Sequence, residues 1–325
     1  MSEPLDLPIL LSEEACAGRV YIVTGSNTGI GYEAAKHLVN FNSAKVIIAV
    51  RNVKSGEEAK ARIEESTGKT GIAEVWELDL ASYASTKAFA KRALGLERID
   101  ALIENAGVGI GRESQSEGHP TTYTVNIYST FLLAILLLPK MSEDAKRLGT
   151  QPHISIVTST LAFQFEQAWM AIKDTPNPTA VTANNEAFDS IALYTASKLF
   201  EMFALRQLTS LVPFSRTGVV LNLICPGLCK TDLSRHGSQE FKDNIKKMHE
   251  DWGRTAEQGS RTLLFGADAG AESYGKLTAD GEIRDESFTP AWIAGDEGAD
   301  GRKKVWDDVA AQLEIAEPGC LAKVL

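Results

Sequence analysis

The 325-residue chain is 44% hydrophobic and 23% charged, the balance of a soluble globular protein, and it is long enough for one large domain or two ordinary ones. Its formal charge of −10 argues against nucleic acid or an anionic membrane as a partner, and ordinary solubility accounts for it. The acidic N-terminus lacks the basic start and long apolar core of a signal peptide. The run "FLLAILLLP", at residues 131–139, is too short to span a bilayer and predicts a buried helix. We therefore expect a cytoplasmic protein without a membrane span.

Strand-like and helix-like segments alternate over the first 225 residues. The predicted strands are residues 19–24, 44–50, 73–78, 99–104, 153–158 and 219–225. The predicted helices are residues 32–41, 56–66, 83–94, a long helix ending near 138, about 193–211 and, near the C-terminus, 302–315. Several strands are near-continuous apolar runs, which is typical of a sheet covered on both faces.

This order predicts an α/β protein with a doubly wound parallel sheet of the Rossmann type. No linker or repeat marks a boundary, so residues 1–325 are expected to form a single domain. Its core would cover about residues 19–235. Residues 236–325, mostly helical, would form a substrate lid and C-terminal extension above the carboxyl ends of the strands.

A glycine-rich loop, "TGSNTGIG" at residues 24–31, joins the first strand to the first helix. In that context the sequence predicts a dinucleotide site, because the glycines allow close backbone approach and the helix N-terminus offers free N–H groups to a pyrophosphate. A plain glycine-rich turn is the alternative. The predicted cofactor-binding residues of the loop are Gly25, Ser26, Asn27, Thr28, Gly29, Ile30 and Gly31.

The second strand ends in "AVRN", with Arg51 and Asn52 where an enzyme that prefers NAD usually has a carboxylate for the ribose hydroxyls. A guanidinium suits the 2′-phosphate of NADP through charge-assisted hydrogen bonds. The sequence therefore favours NADP(H), with a solvated surface arginine as the alternative.

Three tyrosines have a lysine four residues further on, a spacing that places both side chains on one face of a helix. The pairs are Tyr32–Lys36, Tyr83–Lys87 and Tyr194–Lys198. The spacing alone does not say which pair, if any, transfers protons.

The motifs, taken together over about residues 19–235, resemble those of the short-chain dehydrogenase/reductase family, in the family's order. The similarity is greatest to the branch of retinol dehydrogenases and WW-domain oxidoreductases, and to fungal reductases of secondary metabolism. The resemblance implies a catalytic set of Asn126, Ser159, Tyr194 and Lys198. It also implies cofactor contacts from Asp79, Leu80, Asn105, Ala106, Gly107, Tyr194, Lys198, Pro226, Gly227 and Thr231.

The resemblance also implies a mechanism for an NADP-dependent oxidoreductase. Tyr194 would exchange a proton with the substrate oxygen, with its pKa lowered from about 10 by Lys198 and the oxidised nicotinamide. Ser159 would bind the same oxygen. Lys198 would also hold the nicotinamide ribose, and Asn126 would hold a water that connects Lys198 to solvent.

Some residues depart from the family pattern. Glu104, in "LIENAG", stands where many members have asparagine, and we assign it no chemistry. The interval between Ser159 and Tyr194 is about three times the usual one. Its aromatic residues could line an apolar substrate pocket, or the segment could be a surface excursion.

The leading hypothesis is hydride transfer to or from a carbonyl or secondary alcohol of a hydrophobic small molecule, such as a polyketide or terpenoid. A cofactor-binding regulator without catalysis and an enzyme that uses the nicotinamide for a non-redox step are the rivals. A homodimer through the helices at residues 131–138 and after Tyr194 is possible, although intrachain packing explains their apolar faces equally well. No metal site is expected: the four cysteines, Cys16, Cys225, Cys229 and Cys320, lack zinc spacing and are interpreted as reduced thiols.

Overall fold

A computed structural model describes residues 7–109, 111 and 114–325. The strands are β1 (Val20–Thr24), β2 (Lys45–Val50), β3 (Ala73–Glu77), β4 (Ala101–Glu104), β5 (Gln115–Ser116), β6 (His119–Pro120), β7 (His153–Val157), β8 (Val220–Cys225), β9 (Leu277–Ala279) and β10 (Glu282–Ile283). Across the described residues, eight strands form the main sheet in the order β3-β2-β1-β4-β7-β8-β9-β10. Seven of them run parallel and β10 is antiparallel to β9. The predicted doubly wound parallel sheet is confirmed.

The longer helices alternate with the strands as predicted, and short helices lie between them. The helices are α1 (Glu13–Cys16), α2 (Gly29–Asn40), α3 (Val53–Thr67), α4 (Tyr83–Ala93), α5 (Thr121–Tyr123), α6 (Thr130–Leu148), α7 (Glu166–Ile172), α8 (Pro178–Ala183), α9 (Ser190–Leu211), α10 (Phe214–Thr217), α11 (Gln239–Trp252), α12 (Ala256–Gly266), α13 (Ala291–Ala294) and α14 (Ala299–Ala316). A π-helical segment, Thr124–Ser129, connects α5 to α6.

Helices cover both faces of the sheet, as its apolar strands require. Every residue of β1 and β8 is buried. On one face the sheet packs against α4, α6 and α9, with α14 outside them, and on the other against α2, α3 and α12. Two layers of helix with the sheet between them bury both sides of each central strand, which explains why these strands lack a polar alternation.

The C-terminal region is mostly helical, as predicted, but it also extends the sheet. Strand β9 pairs in parallel with β8, and β10 returns beside it through a turn at Asp280 and Gly281. Both turn residues have positive φ, 56° and 73°, which is the geometry that Asp-Gly favours in a two-residue hairpin. The sequence analysis missed these two strands, because β9 has only three residues and shows no readable alternation.

The interval between Ser159 and Tyr194 is folded into the core. It forms a 3₁₀ turn, Thr160–Phe165, followed by α7 and α8. Trp169 is 1% exposed, and its ring centroid lies 4.9 Å from that of Phe203. Trp169 therefore anchors the segment in the core and is not part of a pocket wall, while other residues of the segment, such as Leu161 and Met170, are exposed.

The apolar run at residues 131–139 lies in a helix that is long and apolar enough to cross a membrane, Thr121–Leu148, but 94% of its most apolar window is buried inside the protein. The prediction of a buried helix is thus confirmed. Helix α14 packs over it, with the rings of Phe131 and Trp306 6.4 Å apart. Residues Leu199–Leu205 of α9 are likewise buried. Intrachain packing accounts for both apolar faces, so the predicted dimer surface is already covered.

Candidate active site

The predicted cofactor loop lies at the carboxyl ends of the parallel strands, between β1 and α2. A side chain on Gly25 would bring its Cβ to 2.9 Å from the Cα of Ala106, and one on Gly31 would lie 2.3 Å from Asn105 Nδ2. Both positions therefore need glycine. Within the described chain no side chain caps α2 at Thr28, so its first N–H groups remain available to an anion. This cradle fits the pyrophosphate of a dinucleotide.

Side chains around the loop hold its shape. Ser26 is buried and its hydroxyl donates to the Val23 carbonyl over 2.7 Å. Arg62, on α3, donates to the Asn27 carbonyl over 3.1 Å, and its guanidinium lies 4.7 Å from the centre of the Tyr32 ring. Arg62 was not predicted, because nothing in the sequence of α3 shows which of its charged residues faces the loop.

The "NAG" segment after β4 is tied to the end of β1. Asn105 Nδ2 donates to the Thr24 carbonyl over 2.8 Å, and the Ala106 N–H donates to Thr24 Oγ1 over 2.9 Å. Gly107 is exposed, and a Cβ there would lie 3.9 Å from Lys198 Nζ. The segment therefore leaves an exposed surface between the glycine loop and Lys198.

At the end of β2, Arg51 is exposed and follows the last strand residue. Asn52 caps α3, where its Oδ1 accepts from the Ser55 N–H over 3.0 Å. Asp79, after β3, is half-buried and accepts from the Ala81 N–H over 3.0 Å, and Leu80 is buried. The side chains of Asn52 and Asp79 accept hydrogen bonds from backbone N–H groups and so stabilise the local fold. The side chain of Arg51, at the end of the strand, is exposed to solvent.

The segment after β8 lies over the glycine loop. The Arg254 guanidinium donates to the Pro226 carbonyl over 3.1 Å and lies over Gly227. Thr231 Cγ2 would contact a Cβ placed on Gly29 at 3.4 Å. Thr231 therefore lies beside the cradle, and the cofactor contacts of Pro226, Gly227 and Thr231 stay predictions.

Ser159, Tyr194 and Lys198 meet beside this cradle. Ser159 follows β7 and lies beside the Tyr194 phenol, and its Oγ accepts from the Leu161 N–H over 3.2 Å. Tyr194 is 6% exposed. Burial raises the pKa of Tyr194, with the charges of Glu201 and Cys225 adding to the effect and Ser159 opposing it. The expected lowering by Lys198 and the oxidised nicotinamide concerns the enzyme with its cofactor bound, and it stays a prediction.

Lys198 is nearly buried and lies under the phenol. Its Nζ is 5.8 Å from the centre of the Tyr194 ring, and donates to the Val157 carbonyl over 3.0 Å and to Glu201 Oε1 over 2.7 Å. These two bonds leave one of its three hydrogens for another acceptor.

The other two tyrosine–lysine pairs are engaged elsewhere. Lys87 donates to the Ala316 carbonyl at the end of α14 over 2.8 Å. Lys36 pairs with Glu33 on the surface of α2. Only the pair on α9 shares its location with a serine after a strand, so position rather than spacing distinguishes it.

Asn126 lies in the π-helical segment, a feature that is frequent at functional sites. Its Oδ1 accepts from the Val108 N–H over 2.8 Å, and its Nδ2 donates to the Val108 carbonyl and to Ser197 Oγ. Both amide hydrogens are used. The side chain therefore fixes the loop after β4, and the predicted water would need the main-chain carbonyl of Asn126 instead.

Two carboxyl groups are buried in this region, and one of them, Glu201, pairs with Lys198. Glu104, at the end of β4, is 2% exposed, and Glu201, on α9, is 1% exposed. Among the described residues, both oxygens of Glu104 and Oε2 of Glu201 have no hydrogen-bond partner. Burial, and then the charge of Glu201, raise the pKa of Glu104 well above its ordinary value. Burial raises the pKa of Glu201 to about 7, against the opposing effect of Lys198.

The sequence analysis noticed Glu104 without assigning it a role, and missed Glu201. The signal for Glu201 was its i,i+3 spacing from Lys198 on a helix, which puts the two side chains on one face. Nothing in the sequence brings β4 and α9 together at this point, so the pair of carboxyl groups is visible only in the fold.

The buried carboxyl of Glu104 predicts a pH-dependent stability. Its raised pKa means that the folded protein keeps a proton which the unfolded chain releases above about pH 4.5, so stability falls as pH rises. We expect Glu104→Gln to reduce this slope by up to about 1.4 kcal/mol per pH unit. The measurement is urea unfolding from pH 5 to pH 8. Exposed Glu58→Gln is the matched control, and an unchanged slope in Glu104→Gln would contradict the assignment.

No group of three or more His, Cys, Asp and Glu side chains that could hold a metal is found in the part of the chain that the structure describes. The polar groups of the site are instead those of an acid–base pair beside a dinucleotide cradle. Such a site can exchange a proton with an oxygen atom while a bound nicotinamide exchanges hydride with carbon.

Solved structures share this fold. An uncharacterised protein from Mycobacterium paratuberculosis superposes with a TM-score of 0.65 at 19% identity, over 94% of this chain and 97% of that one. A 3-oxoacyl (acyl-carrier-protein) reductase from Agrobacterium tumefaciens with NADP bound gives a TM-score of 0.62 at 21% identity, over 83% and 96%.

Sequence comparison supports a closer relationship. The sequence model described as short chain dehydrogenase matches residues 19–171. The chain is 34% identical over 310 residues to the short chain dehydrogenase/reductase dmxR8 of Cryptosporiopsis sp., covering 93% of each protein. It is 37% identical over 269 residues to the short chain dehydrogenase atnD of Emericella nidulans, covering 80% of this chain and 83% of that one. The chain is a member of the short-chain dehydrogenase/reductase family, and so an NAD(P)-dependent oxidoreductase of the Rossmann fold.

Proposed function

We propose that this protein is an NADP-dependent reductase of a ketone or aldehyde in a hydrophobic small molecule, acting also on the corresponding alcohol in reverse. The observation that carries the proposal is the meeting of Ser159, Tyr194 and Lys198 beside the glycine cradle. The loops at Gly25–Gly31, Asn105–Gly107 and Pro226–Thr231 would hold the dinucleotide, and the nicotinamide would supply the hydride.

Each polar side chain of the site would have its own role in the reaction. The Tyr194 hydroxyl would give its proton to the oxygen of the reduced carbonyl. Ser159 Oγ would donate a hydrogen bond to the same oxygen and keep it within reach of the phenol. Lys198 would use its remaining hydrogen for the ribose. Asn126 would keep the loop after β4 in place through Val108.

Apolar side chains near Ser159 favour a hydrophobic substrate. Leu161, two residues beyond Ser159, is 38% exposed. Phe163 packs edge to face on Phe288, with ring centroids 6.2 Å apart, and Phe288 is 37% exposed. The 3₁₀ turn after Ser159 and the C-terminal region thus present apolar surface together. This supports the segment around Phe288 as part of a substrate lid, while α12, α14 and the β9–β10 hairpin belong to the folded core, and the fungal relatives favour a secondary metabolite as substrate.

Arg51 is proposed to select NADP(H) through the 2′-phosphate. Arg51→Asp should raise the Michaelis constant for NADPH by about 10-fold or more, because a charge-assisted hydrogen bond worth about 1.5–3 kcal/mol is replaced by repulsion. Use of NADH should improve. Steady-state kinetics with both cofactors test this, with Lys91→Asp, the same charge change at an exposed position on α4, as the control. A wild-type preference for NADH would contradict the proposal.

An activity assay also tests two alternative functions. A regulator without catalysis would bind NADPH but oxidise none of it with any carbonyl. An enzyme that uses the nicotinamide for a non-redox step would convert substrate with no net change in absorbance at 340 nm. A panel of aromatic and polycyclic ketones with NADPH, followed by absorbance and by mass of the product, separates all three. Product two mass units heavier, with one NADPH oxidised per product, supports the reductase.

A further inference from the structure

Lys198 has an unusual neighbourhood for a lysine that is meant to lower the pKa of a phenol. Its ammonium donates to Glu201 Oε1 over 2.7 Å, on the side away from solvent, and Glu201 is 1% exposed. A buried carboxylate at that distance cancels much of the lysine's charge as seen from Tyr194, because few water molecules intervene.

Glu104 adds a second carboxyl group to the same buried space. Glu104 lies at the end of β4, which is next to β7 and two strands from β8 in the sheet. The last residue of β7, Val157, also accepts a hydrogen bond from Lys198. Glu104 is 2% exposed, and both of its oxygens lack a hydrogen-bond partner among the described residues. A carboxyl group buried in this way is more stable in its neutral form, so Glu104 adds little negative charge of its own to the site.

The three carboxyl oxygens without a partner support this reading. Buried polar atoms are almost always hydrogen-bonded. Within the described residues, Glu104 Oε1, Glu104 Oε2 and Glu201 Oε2 all lack partners. A neutral Glu104 leaves less unsatisfied charge in this space than an ionised one would.

We propose that Glu201 is a positioning residue that acts through Lys198: its buried carboxylate offsets the charge of the lysine and so keeps Tyr194 in its acid form. This rests on the proposed function. A protonated Tyr194 is the form needed to reduce a carbonyl, so the Lys198–Glu201 ion pair biases the site toward reduction over alcohol oxidation at neutral pH.

The charged and titratable groups that face this site come from three elements. Tyr194, Lys198 and Glu201 lie on α9, Cys225 ends β8 and Glu104 ends β4. Thr158 and Ser159, after β7, add neutral hydroxyls near Glu201 and Tyr194, and Thr158 Oγ1 donates to the Lys198 carbonyl over 3.2 Å. Of these groups Glu201 is the one in direct contact with the ammonium, and so its removal should change the charge at Tyr194 most.

Glu201→Gln tests the proposal, since it keeps an oxygen for Lys198 and removes the charge. The measurement is the pH dependence of kcat for alcohol oxidation with saturating NADP, from pH 6 to pH 10. We expect the pKa of the rising limb to fall by about one to two pH units, which is the effect of an opposite charge freed within about 4–6 Å. In Glu104→Gln the limb should move by less than half as much, because Glu104 is neutral in the active form.

Two variants guard against a purely structural effect. Asp144→Asn removes another buried carboxylate, one that pairs with Lys140 on α6 over 2.7 Å and lies outside the site. It should cost stability and leave the limb in place. Glu201→Asp keeps the charge on a shorter side chain; if Glu201→Gln does not fold, Glu201→Asp should still shift the limb downward, by a smaller amount.

The outcomes are distinguishable from failure of the proposed function. A lower kcat in Glu201→Gln with an unmoved limb, or a limb that moves as far in Asp144→Asn, would overturn the role proposed for Glu201 and leave the reductase intact. Carbonyl reduction that survives Tyr194→Phe undiminished would overturn the reductase mechanism itself, whatever the Glu201 variants do.

Discussion

Tyr194→Phe should reduce turnover by about 10²–10⁴, the usual contribution of a positioned general acid. The change removes one oxygen from a side chain that is 6% exposed and keeps its shape. Folding and NADP(H) binding should therefore survive. Single-turnover reduction of an identified carbonyl substrate measures the chemical step, and a fluorescence titration with NADPH in parallel measures cofactor binding.

The chain contains its own controls for this experiment. Tyr32 and Tyr83 have the same spacing to a lysine. The Tyr32 ring packs under Arg62, a contact that does not need its hydroxyl. The Tyr83 hydroxyl is buried without a partner among the described residues, so removing it should be neutral or slightly stabilising. Both Phe variants should retain near-full activity. Full activity in Tyr194→Phe, or an equal loss in either control, would contradict the assignment of Tyr194 as proton donor.

The fold was predictable where hydrophobic runs and glycine placement agreed. Six parallel strands and the helices between them follow from apolar runs covered on both faces. The hairpin of β9 and β10 did not follow, although "ADGEI" contains the Asp-Gly signal, because strands of two or three residues give no periodicity to read. The aromatic residues of the insertion after Ser159 suggested a pocket lining or a surface excursion, because the sequence does not show that Trp169 packs on Phe200 and Phe203 of α9.

Those residues of the site that belong to a local sequence motif could be predicted. Ser159, Tyr194, Lys198 and the glycine loop each belong to a local pattern, and the fold brings them together. The electrostatics depend on contacts between distant segments, which no local pattern encodes. Glu104 and Glu201 are 97 positions apart by their numbers, and only the fold makes them neighbours in charge. For that reason the effect of these carboxyl groups on the site was not foreseen, even though Tyr194 and Lys198 were correctly placed together.

Lys198→Met should have the second large effect, on stability as well as on catalysis. Turnover should fall at least as far as in Tyr194→Phe, and NADP(H) binding should weaken because the proposed ribose contact is lost. The variant also leaves Glu201 buried without its cation. Removing one partner of a buried ion pair costs about 3–5 kcal/mol when the other stays charged.

The stability loss in Lys198→Met should depend on pH, with a sign fixed by Glu201. In the wild type the pKa of Glu201 is already raised to about 7, and Lys198 is what holds it down to that value. Without the lysine the folded-state pKa rises further, while the unfolded chain still ionises near pH 4.5. Stability therefore falls as pH rises from that point, and the deficit relative to wild type should be largest at pH 8 and small near pH 5. Urea unfolding at the two pH values measures it.

A double variant separates the electrostatic loss from the catalytic one. Adding Glu201→Gln to Lys198→Met removes the uncompensated charge, so much of the stability at pH 8 should return while turnover stays low. The coupling between the two positions in a double-mutant cycle should then exceed the few tenths of a kcal/mol that independent sites show. A deficit that is equal at pH 5 and pH 8, or a double variant no more stable than Lys198→Met, would mean that Lys198 supports the fold by packing and that Glu201 is not ionised beside it.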